Sequence, residues 1–246
     1  MRKDIYINAF GSFLPGKPVP SDEMELYLGN INGKASRHKS LVLRQNKIKT
    51  RFYALDKNGK AQYSSAKMAS NAITDAIERS EANMNDIQYL AASSTLGDVL
   101  VPGLASNIHA ELGLPPIELA NFQSVCASSL MALKSAWLQL KTGEHDCAVV
   151  SGSEFSSRYF RPGFYENITQ IKEGGTVPLS ADFLRFTLSD GAGAAILENK
   201  PNNRQYSLKI KWIDLRSYAD RFQICMLAGG AKISEEMRPW SAFESP

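Results

Sequence analysis

The sequence reads as an α/β protein with a largely parallel sheet covered on both faces. Three observations say so. Short apolar runs bounded by turn residues alternate with stretches of helical periodicity. The runs at 87–92 and 147–152 are apolar throughout, as strands buried on both faces are, rather than alternating as half-solvated strands do. At 246 residues and 43% hydrophobic, the chain is long enough to bury a substantial core in one large unit.

The elements follow in order. Residues 4–10 alternate weakly and meet Gly11, Pro15 and Pro18, a first strand running into a loop. Between Gly33 and Arg51 lie Lys34, Arg37, His38, Lys39, Arg44, Lys47, Lys49 and Arg51 with no acidic residue among them, either a solvated face or a site for a phosphate-bearing ligand. From Ser65, Ala69, Ala72, Ile73, Ala76 and Ile77 recur at helical spacing behind a Ser cap. A buried strand over 87–92 and a helix over 104–112, closed by Gly113, come next. Residues 117–122 read as a strand, 127–142 as a helix closed by Gly143, and 147–152 as another buried strand. Residues 154–186 are rich in aromatics and Gly and read as an irregular functional or interface loop. Strands over 191–197 and 206–213 flank a turn at Pro201-Asn202-Asn203. The first 200 residues form one half-domain in this reading, and 201–246 begin a connecting or second segment.

Composition removes several classes of function. A net charge of +3 on this length does not advertise a nucleic-acid or membrane partner. No run of about 18 apolar residues occurs, and the first ten residues lack the apolar core of a signal peptide, which points to the cytoplasm. Cys126, Cys147 and Cys225 are too few and too scattered for a disulfide framework, and no C-x-x-C pair suggests zinc, so no metal is expected.

The informative stretch is Asn121-Phe122-Gln123-Ser124-Val125-Cys126-Ala127-Ser128-Ser129-Leu130, where a strand turns abruptly into a helix with a cysteine at the turn. Leu130, Leu133, Trp137 and Leu140 share a helix face that would fix the helix on the sheet. A thiol over a helix N-terminus meets unpaired N–H groups and the positive end of the macrodipole, which favour thiolate. Ala127, Ser128 and Ser129 leave room for an acyl chain, and nearby backbone N–H groups offer an oxyanion site. Against this stands the bland alternative that Cys126 is a small buried hydrophobe, the reading preferred for Cys147; Cys225 has no supporting context. A base is not evident. His145 lies about 16 helical residues from Cys126, roughly 24 Å. His109 sits within the 104–112 helix, and His38 belongs to the basic loop and is free to swing.

These residues resemble a known family. Ser124-Val125-Cys126-Ala127-Ser128-Ser129-Leu130-Met131-Ala132-Leu133 is similar to the nucleophile loop of thiolase-fold condensing enzymes of the ketoacyl-acyl-carrier-protein synthase III type. Leu188-Ser189-Asp190-Gly191-Ala192-Gly193-Ala194-Ala195 resembles their Gly-Asp-Gly-Ala-Gly-Ala turn. Ala9-Phe10-Gly11-Ser12-Phe13-Leu14-Pro15 and Ile48-Lys49-Thr50-Arg51 resemble the family's first strand and the segment before its first helix. Phe183-Leu184-Arg185-Phe186 is similar to a dialkylresorcinol or aryl-lipid subgroup. The resemblance implies the N-terminal half of the αβαβα layered thiolase fold with a mostly parallel mixed sheet. It implies an acyltransferase in which Cys126 takes an acyl group from coenzyme A or an acyl carrier protein before a decarboxylative Claisen condensation. No cofactor is bound; the carrier's phosphopantetheine comes with the substrate, and Arg51 and Lys49 would lie where its phosphate docks. It further implies a homodimer packed through the strand leading to Cys126, with loop 97–103 lining the neighbour's pocket. The family's second half supplies a His in a His-Gln-Ala-Asn-like motif and an Asn in a Gly-Asn-Thr-Ser-like motif, and neither occurs here. The missing groups are expected from further polypeptide or a second chain, so the 246 residues alone should be inactive. The alternative is a non-catalytic or half-site subunit that shapes a partner's acyl pocket.

Overall fold

A computed structural model describes residues 3–166, 171, 176–203, 206–223 and 226. Eight strands and six α-helices are described: β1 (Tyr6–Phe13), β2 (Val19–Pro20), α1 (Met24–Leu28), α2 (Lys39–Gln45), β3 (Thr50–Arg51), α3 (Ser65–Glu78), β4 (Tyr89–Ser94), α4 (Leu104–Leu112), β5 (Glu118–Gln123), α5 (Ser128–Thr142), β6 (Cys147–Glu154), α6 (Leu179–Thr187), β7 (Gly191–Glu198) and β8 (Leu208–Lys209). The chain divides into two units: residues 1–15, 63–154 and 191–216, and residues 16–62, 155–190 and 217–246.

The first unit holds a six-stranded sheet in the order β5-β4-β6-β7-β1-β8. β4 pairs in parallel with β5 and β6, whereas β7 is antiparallel to both β6 and β1. Alternate residues of the buried strands feed two cores, as the strand period of two requires. Leu90, Ala92, Cys147, Val149, Ala194 and Ile196 pack with α3 and α4. Tyr89, Ala91, Ala148, Val150, Ala195 and Leu197 pack with α5. The fully apolar runs are thus explained by helices on both faces. Both capping expectations hold: the Ser64 side chain accepts from the Lys67 N–H at the start of α3, and Gly113 and Gly143 close α4 and α5 in the left-handed conformation.

The second unit gathers Val19, Met24, Leu28, Val42, Leu43, Tyr53, Phe160, Tyr165, Leu184 and Phe186 into its own core, beside the β2–β3 ribbon. Three expectations are corrected. Part of the basic segment is helical: Ser36 Oγ accepts from the His38 and Lys39 N–H groups, and Val42 and Leu43 of α2 are buried. The region 154–186 is not irregular throughout, because its end forms α6. The helix was hidden because its buried face carries Asp182 and Arg185 among Ala181, Leu184 and Phe186, which breaks the apolar periodicity. Finally, the strand expected over 206–213 is only β8, two residues paired with Tyr6 and Ile7 of β1. The segment before it is fastened by side chains: Asn202 Nδ2 donates to the Asn8 carbonyl and Ser207 Oγ to Asn8 Oδ1.

Candidate active site

β5 and α5 place Cys126 where the sequence puts it, in a four-residue turn between Gln123 and Ser128. The Ser128 N–H closes the turn onto the Val125 carbonyl, and the Leu130 and Met131 N–H groups both reach the Ala127 carbonyl. The Cys126 thiol is exposed. It is therefore no packed hydrophobe within this chain. Cys147 is the opposite case: it is buried in β6, and desolvation, with the nearby Glu198 carboxylate, pushes its thiol up to about 12. Cys225 lies outside the described residues.

α5 meets the sheet through a narrower face than the sequence suggests. Ala132, Ala136 and Leu140 are fully buried, Leu133 and Trp137 only partly, and Leu130 stands half exposed. Alanines at i and i+4 let the helix approach the strands closely, so the larger side chains are turned to the flanks. Ser93 Oγ donates to the Ser151 carbonyl at 3.2 Å and accepts from Ser129 Oγ at 3.1 Å. Gly152 leaves no room there: a Cβ would lie 2.7 Å from Ser129 Oγ.

Loop 97–103 is pinned at its base. Asp98 accepts from the Ser65 N–H at 2.8 Å and the Ala66 N–H at 2.9 Å, while Glu154 accepts from the Thr95 N–H. Its apex, Val99, Leu100 and Val101, is strongly exposed.

The histidines behave as distance argued, with one correction. His145 bonds Glu118, at the far end of β5 from Cys126, and α5's 15 residues separate them by about 22 Å. His109 Nε2 pairs with the Pro115 carbonyl. His38 does not swing: its Nδ1 lies 3.0 Å from Oδ2 of the buried Asp182.

Lys49 and Arg51 belong to the second unit and differ from each other. Lys49 lines an open groove of about 690 Å³ with Ser21, Asp22, Lys39, Arg44 and Lys47. Arg51 does not line it; the residue is half buried in β3, its Nη1 donates to the Thr50 carbonyl, and burial lowers the guanidinium's pKa. The sequence named Asp190 only as part of a glycine turn. Its buried carboxylate accepts from the N–H groups of Ala54 and Ser157 and from Ser157 Oγ, fastening these two segments together within the second unit. Burial raises its pKa despite these donors.

The thiolase N-terminal domain family matches residues 47–161, the span that includes the Cys126 turn. The backbone itself superposes on a tetronic acid condensing enzyme with a TM-score of 0.74, at 20% identity over 96% of this chain and 66% of that one. The chain has the thiolase fold. A thiolase-fold 3-oxoacyl-(acyl carrier protein) synthase III from Pseudomonas aeruginosa superposes with a TM-score of 0.68 at 17% identity, covering 94% of this chain and 60% of that one. In sequence, the beta-ketoacyl-[acyl-carrier-protein] synthase III of Dinoroseobacter shibae is 23% identical, over 96% of this chain and 64% of the relative. That of Roseobacter denitrificans is 27% identical, over 78% and 50%. The chain thus spans between half and two thirds of the length of these thiolase-fold relatives. Among the described residues, no helix is long and apolar enough to cross a membrane.

Proposed function

We propose that the chain is the nucleophile-bearing part of an acyl-thioester condensing enzyme. Cys126 takes an acyl group from coenzyme A or a carrier protein, releasing the carrier thiol. A carbanion formed by loss of carbon dioxide from a malonyl-type thioester then attacks the acyl carbonyl, and Cys126 leaves as thiolate. The exposure of the thiol at the strand-to-helix turn carries this reading, because an acyl donor must reach the sulfur. The basic groove of Arg44, Lys47 and Lys49 suits a carrier phosphate. Arg51, half buried and outside the groove's wall, is given no phosphate contact in this reading.

His109 and His145 are both bonded elsewhere, so this reading assigns thioester polarisation and decarboxylation to His and Asn groups outside these 246 residues. Such residues would pack on the β5 edge and on the exposed apolar side chains Val125, Leu130, Met131 and Leu138 around the Cys126 turn, with a second copy meeting loop 97–103. The test is a condensation assay with acyl-CoA and a malonyl thioester, run on this chain alone and on a protein that also carries the family's second half. Carbon dioxide and β-ketoacyl product are expected only in the second case, and Cys126→Ser should abolish both. Product formed equally well by Cys126→Ser would refute the reading.

A further inference from the structure

The second unit contains a cavity of about 80 Å³, several times the room one water needs, with Lys34, Ser36, Arg37, His38, Thr176, Asp182 and Arg185 in its wall. Its one carboxylate is fully committed. Asp182, 1% exposed, accepts from Ser36 Oγ at 2.7 Å, faces His38 Nδ1 at 3.0 Å, and pairs through its other oxygen with Arg185 Nη1 at 3.1 Å. Arg185 also donates from Nη2 to the Gly29 carbonyl and from Nε to the Phe160 carbonyl, and its charge is paired with Asp182. The neighbouring acids are occupied as well: Glu25 binds Lys39 and the Ser36 N–H, and Glu166 accepts from the Asn32 N–H.

What remains is positive charge. A carboxylate only accepts hydrogen bonds, so Nδ1 of His38 carries the proton and Nε2 is the free ring nitrogen. Because Asp182 is anchored by Arg185 and Ser36, the imidazole is held in one orientation, as carboxylate-backed histidines are at binding sites. Lys34 and Arg37 have no acidic partner among the described residues. Among the described residues, two cations and an oriented imidazole face this small space with no uncommitted acid in its wall, which matches a compact oxyanion. We propose that this cavity binds a phosphate group, held by His38, Lys34 and Arg37, with Asp182 orienting His38. The site is distinct from the Lys49 groove, with which it shares no lining residue.

The experiment is an NMR titration of the histidine ring resonances of the full chain with inorganic phosphate. A saturable shift at His38 is expected, its Nε2 accepting from a phosphate O–H. His38→Gln and the surface pair Lys34→Ala/Arg37→Ala should each weaken binding at least about tenfold, the worth of one charge-assisted hydrogen bond, while Lys49→Ala leaves it unchanged. Competition by a phosphomonoester such as phosphopantetheine would assign the group to a carrier, and its absence would assign free phosphate; both support the site. No saturable shift at His38, or unchanged affinity in Lys34→Ala/Arg37→Ala, overturns the proposal.

Discussion

At the scale of residues, burial separates two cysteines that composition alone treats alike. Cys126 is exposed and Cys147 is sealed in the sheet with its thiol pushed up to about 12, so their nucleophilicities at neutral pH should differ widely. Under limiting iodoacetamide, peptide mapping should find Cys126 alkylated at least about a hundredfold faster than Cys147, and comparable rates would remove the case for a selected nucleophile. Asp190 makes a prediction about pH. Its folded-state pKa is raised above the ordinary 3.8 by burial, so as pH rises past that value the unfolded chain releases a proton that the folded chain retains. Stability from this group is therefore full below about pH 4 and declines as pH rises through the window between the two values. Urea midpoints measured from about pH 4 upward should show this decline in the wild type and not in Asp190→Asn; parallel curves for the two would contradict it.

At the scale of elements, the pattern of helices and buried strands from α3 to β6 was legible because periodicity and caps agreed along that stretch. Ser64, Gly113 and Gly143 terminate helices where their chemistry says they should. α6 was not legible, since an internally paired Asp182 and Arg185 look like solvent-facing residues until their partners are known. Nor was the contact face of α5, because the sequence ranks Leu130 above Ala132 and Ala136 as a core residue, whereas close helix-to-sheet approach selects the alanines. Of the candidate site, the Cys126 turn was readable from the strand-to-helix switch, and the Ser93–Ser129 contact and the fastening of His38 depended on pairings distant in sequence. Two substitutions test these contacts by thermal melting. Gly11 of β1 faces α3 so closely that a Cβ would sit 2.1 Å from the Ala72 carbonyl oxygen and 2.3 Å from the Ala76 nitrogen. Backbone cannot yield as a flexible side chain can, so Gly11→Ala should cost about 3 kcal/mol. Leu130→Ser, on the exposed side of α5, should stay within about 0.5 kcal/mol in the isolated chain.

At the scale of the whole molecule, the fold explains why one of the two described cysteines is available for chemistry. The β4–β5–β6 strands and the closely packed α5 hold the 124–127 turn between two rigid elements, and the apolar groups that a soluble surface usually hides stand around it. The account's central claim is that this turn carries the acyl-accepting sulfur. Incubation with an acyl-CoA thioester, followed by proteolysis and mass spectrometry of every cysteine peptide, tests it directly. The account predicts one added acyl mass on the Cys126 peptide, labile to hydroxylamine as a thioester is, and none on the Cys147 peptide. An acyl group found on another residue, with the Cys126 peptide unmodified, would contradict it.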